Sequence, residues 1–249
     1  MYGLVIPVFN EERRLNTQYF LEISDIPDLE VLFVDDGSTD MTVNILTRLA
    51  LIKSNVSILE LEANVGKSEA VRAGLNSLIQ DPKFDAVGFI DADGAFGVQD
   101  IYNLISHMTG VASSGLNWWW TSRVKLPYNV VERSKIRHFI GRVISSFLGL
   151  GFQGLPYDTQ SGLKFFSTNK YLAIFLSEPF KTRWFFEIEL LIRAKNFYNV
   201  AKFIVTVPVL NWHEIEGSKL KLRHCILISK ELFYIKFLQY GYRKKYGKI

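Results

Sequence analysis

Four short runs of β-branched and apolar residues, most of them stopping at a polar or acidic cluster, constrain this chain more than any other feature. The runs are Tyr2 to Phe9, Leu29 to Val34, Val56 to Leu61 and Ala86 to Ile90. They are nearly continuous rather than alternating, the pattern of strands covered on both faces. Segments with helical spacing lie between them: Thr39 to Ile52 follows Asp36-Gly37-Ser38, and Lys67 to Ile79 follows Asn64-Val65-Gly66. Strand, turn and helix in repetition predict a right-handed, mostly parallel α/β sheet flanked by helices. Such sheets bind ligands at the carboxyl ends of their strands. The clusters Asn10-Glu11-Glu12, Asp35 to Asp40 and Asp91-Ala92-Asp93 fall at those ends.

Alone, Asp36-Gly37-Ser38 reads equally well as a plain turn with Ser38 capping the next helix, and Asp91-Ala92-Asp93 reads more readily as a solvated turn than as a metal site. Together, at the ends of strands in one sheet, they line one crevice. Two carboxylates one residue apart can reach a single hard cation, and Mg2+ or Mn2+ usually shares such ligands with substrate phosphates. A metal there would stabilise the negative charge that builds on a departing nucleoside diphosphate. Gly66-Lys67-Ser68 lacks the spacing of a P-loop. The four histidines are scattered without metal-ligand spacing, and Trp118-Trp119-Trp120 reads as a buried strand.

Other function classes are disfavoured by composition. The 249 residues are 48% hydrophobic, enough for one large domain, and the net charge is a mild +4. Positive charge gathers at Arg243-Lys244-Lys245 and Lys248, a tail suited to anionic headgroups. No basic-aromatic pattern of an RNA-binding module is present, so no nucleic-acid partner is expected. One cysteine, Cys225, excludes an internal disulfide and fits a reducing, cytoplasmic setting. No signal peptide and no membrane-spanning run are expected.

Ile6-Pro7-Val8-Phe9-Asn10-Glu11, Asp35 to Asp40, Asn64-Val65-Gly66-Lys67 and Asp91-Ala92-Asp93-Gly94 together resemble the family 2 glycosyltransferases of GT-A fold. The resemblance implies a GT-A domain, expected over residues 1–215, and the spacing of basic and apolar residues predicts a C-terminal amphipathic helix over 216–249. The resemblance also implies that Pro7, Asn10, Glu11, Asp36, Lys67 and Asp91 meet the sugar nucleotide, and that Asp91 and Asp93 hold the metal. Farther along, Thr121-Ser122-Arg123, Glu132-Arg133-Ser134, Asp158 to Phe166, Arg183 to Leu191 and Asn211 to Leu220 are similar to the dolichyl- and polyprenyl-phosphate glucosyltransferase branch. Asp93-Gly94-Ala95 favours the glucosyl over the mannosyl branch. One departure is that this sequence begins at its first strand, where eukaryotic glucosyl enzymes carry an N-terminal anchor.

That branch implies an inverting transfer of a hexose, glucose above others, from a UDP-sugar to a polyprenyl phosphate. The guanidinium groups of Arg123, Arg133 and Arg137 suit a phosphate acceptor, although a solvated basic helix face is the plain alternative. A saccharide or protein hydroxyl acceptor is the second reading, with Asp158 or Glu189 as base. Glu187 and Glu189 are two apart in a helical segment and cannot both face the cleft; the resemblance favours Glu189. A non-catalytic nucleotide-sugar-binding subunit is a third reading. Ile136 to Phe152 and Leu220 to Tyr242 are apolar enough to lie on a membrane's cytoplasmic face, to pack on the sheet, or to join a second copy as a homo-oligomer.

Overall fold

A computed structural model describes residues 1–109, 117–132, 134–150, 154–195, 197, 202–215 and 222–246. The first half follows the expected alternation: β1 (Tyr2–Val8), α1 (Thr17–Ser24), β2 (Leu29–Asp35), α2 (Thr42–Ile52), β3 (Val56–Glu60), α3 (Lys67–Leu78), β4 (Ala86–Ile90) and α4 (Val98–Met108). Helix α2 starts later than its spacing suggests. Asp40 takes hydrogen bonds from the Thr42 amide (3.0 Å) and hydroxyl (2.5 Å), so the turn extends to Met41 before the helix begins.

After these come β5 (Trp118–Ser122), β6 (Val130–Glu132), α5 (Lys135–Gly149), β7 (Leu163–Ser167), α6 (Lys170–Leu176), α7 (Phe186–Lys195), β8 (Ile204–Pro208), β9 (Asn211–His213) and α8 (Leu222–Tyr246). Seven strands form one sheet in the order β3-β2-β1-β4-β7-β5-β8, and β6 pairs with β9 in a two-stranded ribbon. Strand β1 is parallel to both β2 and β4. Strand β7 runs antiparallel between β4 and β5.

The sheet is covered on both faces, which is why its strands are apolar throughout. One face packs Val5, Val34, Phe89 and Trp118 against α3, α6 and α7. The other packs Leu4, Phe33, Ile90 and Trp119 against α1, α2 and α4. At about 25 cal/mol per Å² of apolar surface, side chains as large as Trp118 and Trp120, both fully buried, are major contributors to stability. The tryptophan run is thus core, and the Trp120 indole N–H donates to the Asp158 carbonyl at 2.9 Å.

The C-terminal helix is tied into this body. Helix α8 packs on α5 and α7, and Lys236 donates to the Leu150 carbonyl (2.6 Å) at the end of α5. That placement also sets a cation against the negative end of the α5 dipole.

Candidate active site

The carboxyl ends of β1, β2 and β4 open into a pocket of ≈ 470 Å³ whose lining includes Pro7, Glu11, Asp36, Lys67, Asp91 and Asp93. Six residues picked out from four sequence clusters therefore share one cavity. Asn10, the seventh, is not in the lining. Its side chain accepts from the Thr39 N–H, and its own N–H donates to Ser38 Oγ, both at 2.9 Å. It clamps the β1 loop to the β2 loop, with its backbone in the left-handed region at φ 52°.

Asp36 is buried and splits its two carboxylate oxygens between adjacent amides, Val65 at 2.7 Å and Gly66 at 2.8 Å. Burial raises its pKa, and these two bonds and the nearby Arg183 charge only partly oppose the rise. Gly66 takes φ 94°, a conformation that a side chain disfavours. This glycine lets the loop turn onto Asp36 and start α3 with Lys67 pointing at the pocket. Glu11 is engaged by Arg14, which donates through Nε at 2.8 Å. Arg14 also lines the pocket.

Lys67 forms an ion pair with Asp91. The Asp91 carboxylate lies where only a glycine leaves room: a Cβ at Gly162 would sit 2.5 Å from Asp91 Oδ2. Asp93 turns back to accept the Ala95 N–H at 3.0 Å. It is open to solvent at the pocket mouth but crowded by protein, so lost hydration first, and the Asp91 charge second, raise its pKa. Two carboxylates that repel each other in this way form a hard-oxygen pair able to accept a divalent cation. Among the described residues no cluster of three or more His, Cys, Asp or Glu is assembled.

Asp158, Arg123 and Glu189 lie outside the pocket lining. Arg123 grips Asp158 bidentately, Nε to Oδ2 at 2.6 Å and Nη2 to Oδ1 at 2.7 Å, with its backbone N–H adding a third bond at 3.0 Å. The guanidinium also stacks over Trp212. Glu189 accepts from the Lys181 and Thr182 amides, the Thr182 hydroxyl and Arg193. Arg133 lies outside the described residues, as do the Arg137 side chain and residues 216–220 of the loop after β9.

Of the two glutamates on α7, it is Glu187 whose charge acts on Lys67 and Arg123. It pairs with Lys164 at 3.3 Å, and both side chains are almost wholly buried. Lys164 also faces the Trp120 ring at 4.4 Å, and its burial lowers its pKa. Reading Glu189 as the cleft-facing member thus differs from the geometry, which turns Glu189 toward the 181–182 backbone. Lys164, Arg14 and Trp184 were not singled out from the sequence, and Glu187 was weighed there but set aside in favour of Glu189. The signal for Trp184 was its place in the Arg183-Trp184 motif directly before α7.

Comparison with known proteins matches this geometry. The sequence model described as Glycosyl transferase family 2 matches residues 4–160. A dolichyl-phosphate β-glucosyltransferase of Dictyostelium discoideum is 30% identical over 250 residues, covering 94% of this chain and 73% of that protein. One of the enzymes of that name from Trichomonas vaginalis is 29% identical over 245 residues, covering 94% and 72%. The human one is 28% identical over 263 residues, covering 94% and 74%. Glucosyl-3-phosphoglycerate synthase from Mycobacterium tuberculosis, solved with Mn2+, uridine diphosphate and phosphoglyceric acid, shares the fold. Its TM-score is 0.70 at 18% identity, over 96% of this chain and 78% of that one. The chain therefore belongs to glycosyl transferase family 2.

Proposed function

We propose that this glycosyltransferase moves glucose from UDP-glucose to a polyprenyl phosphate such as dolichyl or undecaprenyl phosphate, with inversion at the sugar carbon. The observation that carries this reading is the similarity to dolichyl-phosphate β-glucosyltransferases over 94% of the chain, well beyond the nucleotide-binding half. Pro7, Glu11 and Asp36 hold the nucleotide, with Asp36 on the base side, and Asn10 keeps the two flanking loops in register. Lys67 sits beside the diphosphate. Asp91 and Asp93 are the residues that would hold Mg2+ or Mn2+, which would supply positive charge to the departing diphosphate.

The acceptor oxygen attacks the anomeric carbon opposite the leaving group. A carbon–oxygen bond forms as the bond to the β-phosphate breaks, and its electron pair leaves with UDP beside Lys67. Arg123, with Arg133, attracts the acceptor phosphate, while Asp158 aims the Arg123 guanidinium. A phosphate acceptor is already nucleophilic and needs no strong base. That fits carboxylates such as Asp158 and Glu189, whose oxygens are already engaged by arginine and backbone donors. A hydroxyl acceptor would require one of them to break those bonds first.

A lipid acceptor calls for a surface on which to meet it, which we place at the cytoplasmic face of a membrane. Among the described residues no helix is long and apolar enough to cross a bilayer. Helix α5 instead exposes Phe139, Ile140 and Val143, and the adjoining α8 exposes Phe233, Phe237 and Tyr240. Their spacing of three and four residues gives each helix an outward apolar stripe, suited to lying in the headgroup region. A second copy of the chain is the other occupant such stripes would suit. Incubation with radiolabelled UDP-glucose and dolichyl or undecaprenyl phosphate tests the proposal: label should enter a chloroform-soluble product. Label passing instead to a saccharide or peptide hydroxyl would overturn it.

A further inference from the structure

Four consecutive backbone N–H groups, Lys181 to Trp184, are held by two carboxylates from two helices. Glu189 of α7 accepts from Lys181 and Thr182, each at 3.0 Å. Glu231 of α8 accepts from Arg183 at 3.0 Å through Oε1 and from Trp184 at 2.8 Å through Oε2. Glu231 gives one oxygen to each of its amides, whereas Oε2 of Glu189 takes both of its own, and charged acceptors make the stronger class of hydrogen bond.

The segment so held reaches the donor pocket with one side chain and sets the preceding one against a glycine of the pocket wall. Trp184 lines it together with Gly66, Lys67 and Asp93. Arg183 lies against Gly66, where an added Cβ would come within 3.0 Å of its Nε and Nη2. Its positive charge acts on Asp36 across the same loop. Neither side chain has a covalent reason to stay there, because the segment is a loop between α6 and α7. The carboxylates that satisfy its amides help to hold it in place.

We propose that Glu231 is a positioning residue for the donor pocket, fixing the Arg183 and Trp184 amides so that Trp184 and Arg183 close over the bound nucleotide. The inference rests on reading this cavity as the UDP-sugar site. It makes the last helix part of the donor machinery, although none of the described α8 side chains lines the pocket.

The test compares wild-type protein with Glu231→Ala and Glu231→Gln, measuring UDP affinity by calorimetry with Mn2+ present, and KM and kcat for both substrates. When a loop occupies its competent position only a tenth of the time, the apparent Kd rises by that factor, so Glu231→Ala should weaken UDP roughly tenfold. The donor KM should rise in parallel, with acceptor KM unchanged. Glu231→Gln keeps one carbonyl acceptor but sets an NH2 against the other amide, so its effect should be smaller and in the same direction. If the alanine variant does not fold, the glutamine variant decides alone. Equal UDP affinity in wild type and variants, or a fall in kcat with donor KM unchanged, would overturn the inference while leaving the pocket assignment intact. Failure of the wild type to bind UDP would overturn both.

Discussion

Gly162→Ala is the sharpest probe of how the acid pair is held. Gly162 sits just before β7, and its carbonyl accepts the Asp91 N–H at 3.1 Å. The added Cβ would lie 2.5 Å from Asp91 Oδ2 and 2.7 Å from its Cγ, whereas even tight real contacts are 3.0–3.4 Å. The carboxylate must therefore retreat by about 0.5 to 0.9 Å, because atoms at such range are steeply repulsive. It has little freedom to do so by rotation, since Lys67 holds Oδ1 and the backbone N–H is bonded to Gly162 itself. Misplacement of a reacting group by about 1 Å can cost about a hundredfold in rate, so a fall in kcat of roughly 30- to 100-fold is expected. Overpacking should destabilise the fold by about 1–3 kcal/mol, a loss of several degrees in Tm for a chain of this size. The assay is UDP release at saturating substrates across a Mn2+ titration, with Gly149→Ala as control because a Cβ there meets nothing within 4 Å. Activity within threefold of wild type, with an unchanged Mn2+ midpoint, would refute the reasoning.

Asp93→Ala should abolish metal-dependent turnover while the thermal transition stays within a few degrees of wild type; transfer that persists after chelation would contradict the assigned metal pair. Lys164→Met should destabilise the protein by about 3–5 kcal/mol in urea titrations, because it leaves Glu187 charged, buried and unpaired. The double variant Lys164→Met with Glu187→Leu should recover most of that loss, and a double variant as unstable as the single one would show that the pair's charges are not the cause. Phe233→Asp with Phe237→Asp should reduce co-sedimentation with vesicles of anionic phospholipid at least severalfold; unchanged binding would remove α8 from the membrane face, since a carboxylate at either position carries a large cost of burial in lipid.

The parallel half of the fold was legible in the sequence because its information is local. Apolar runs such as Leu29 to Val34 declare strands buried on both faces, and the clusters that end them share a cavity for purely geometric reasons. The antiparallel β7 was less legible. Its Lys164 looks like a surface residue within an apolar run, and only a partner from α7 makes it tolerable inside. The two glutamates on α7 illustrate the same limit. Helical spacing gives their relative directions, but their environments come from Lys164 on one side and the 181–182 backbone on the other, both distant in sequence or folded back. Glu231 was invisible for a related reason: its partners are amides, which every residue carries, so nothing in the neighbouring sequence marks it.

The antiparallel strand in the middle of the sheet has a consequence for biosynthesis. As the chain leaves the ribosome, β1 to β4 can pair with one another, but β4 keeps an open edge until Leu163–Ser167 has emerged. Strand β5 waits as well, since it is separated from β4 by β7. An unpaired edge flanked by Phe89 and Ile90 is a template for association with other nascent chains. Truncations ending between β5 and β7 should therefore be insoluble even though they contain Pro7, Glu11, Asp36, Lys67, Asp91 and Asp93, and the interval during which residues 91–162 are translated is when this protein most needs a chaperone.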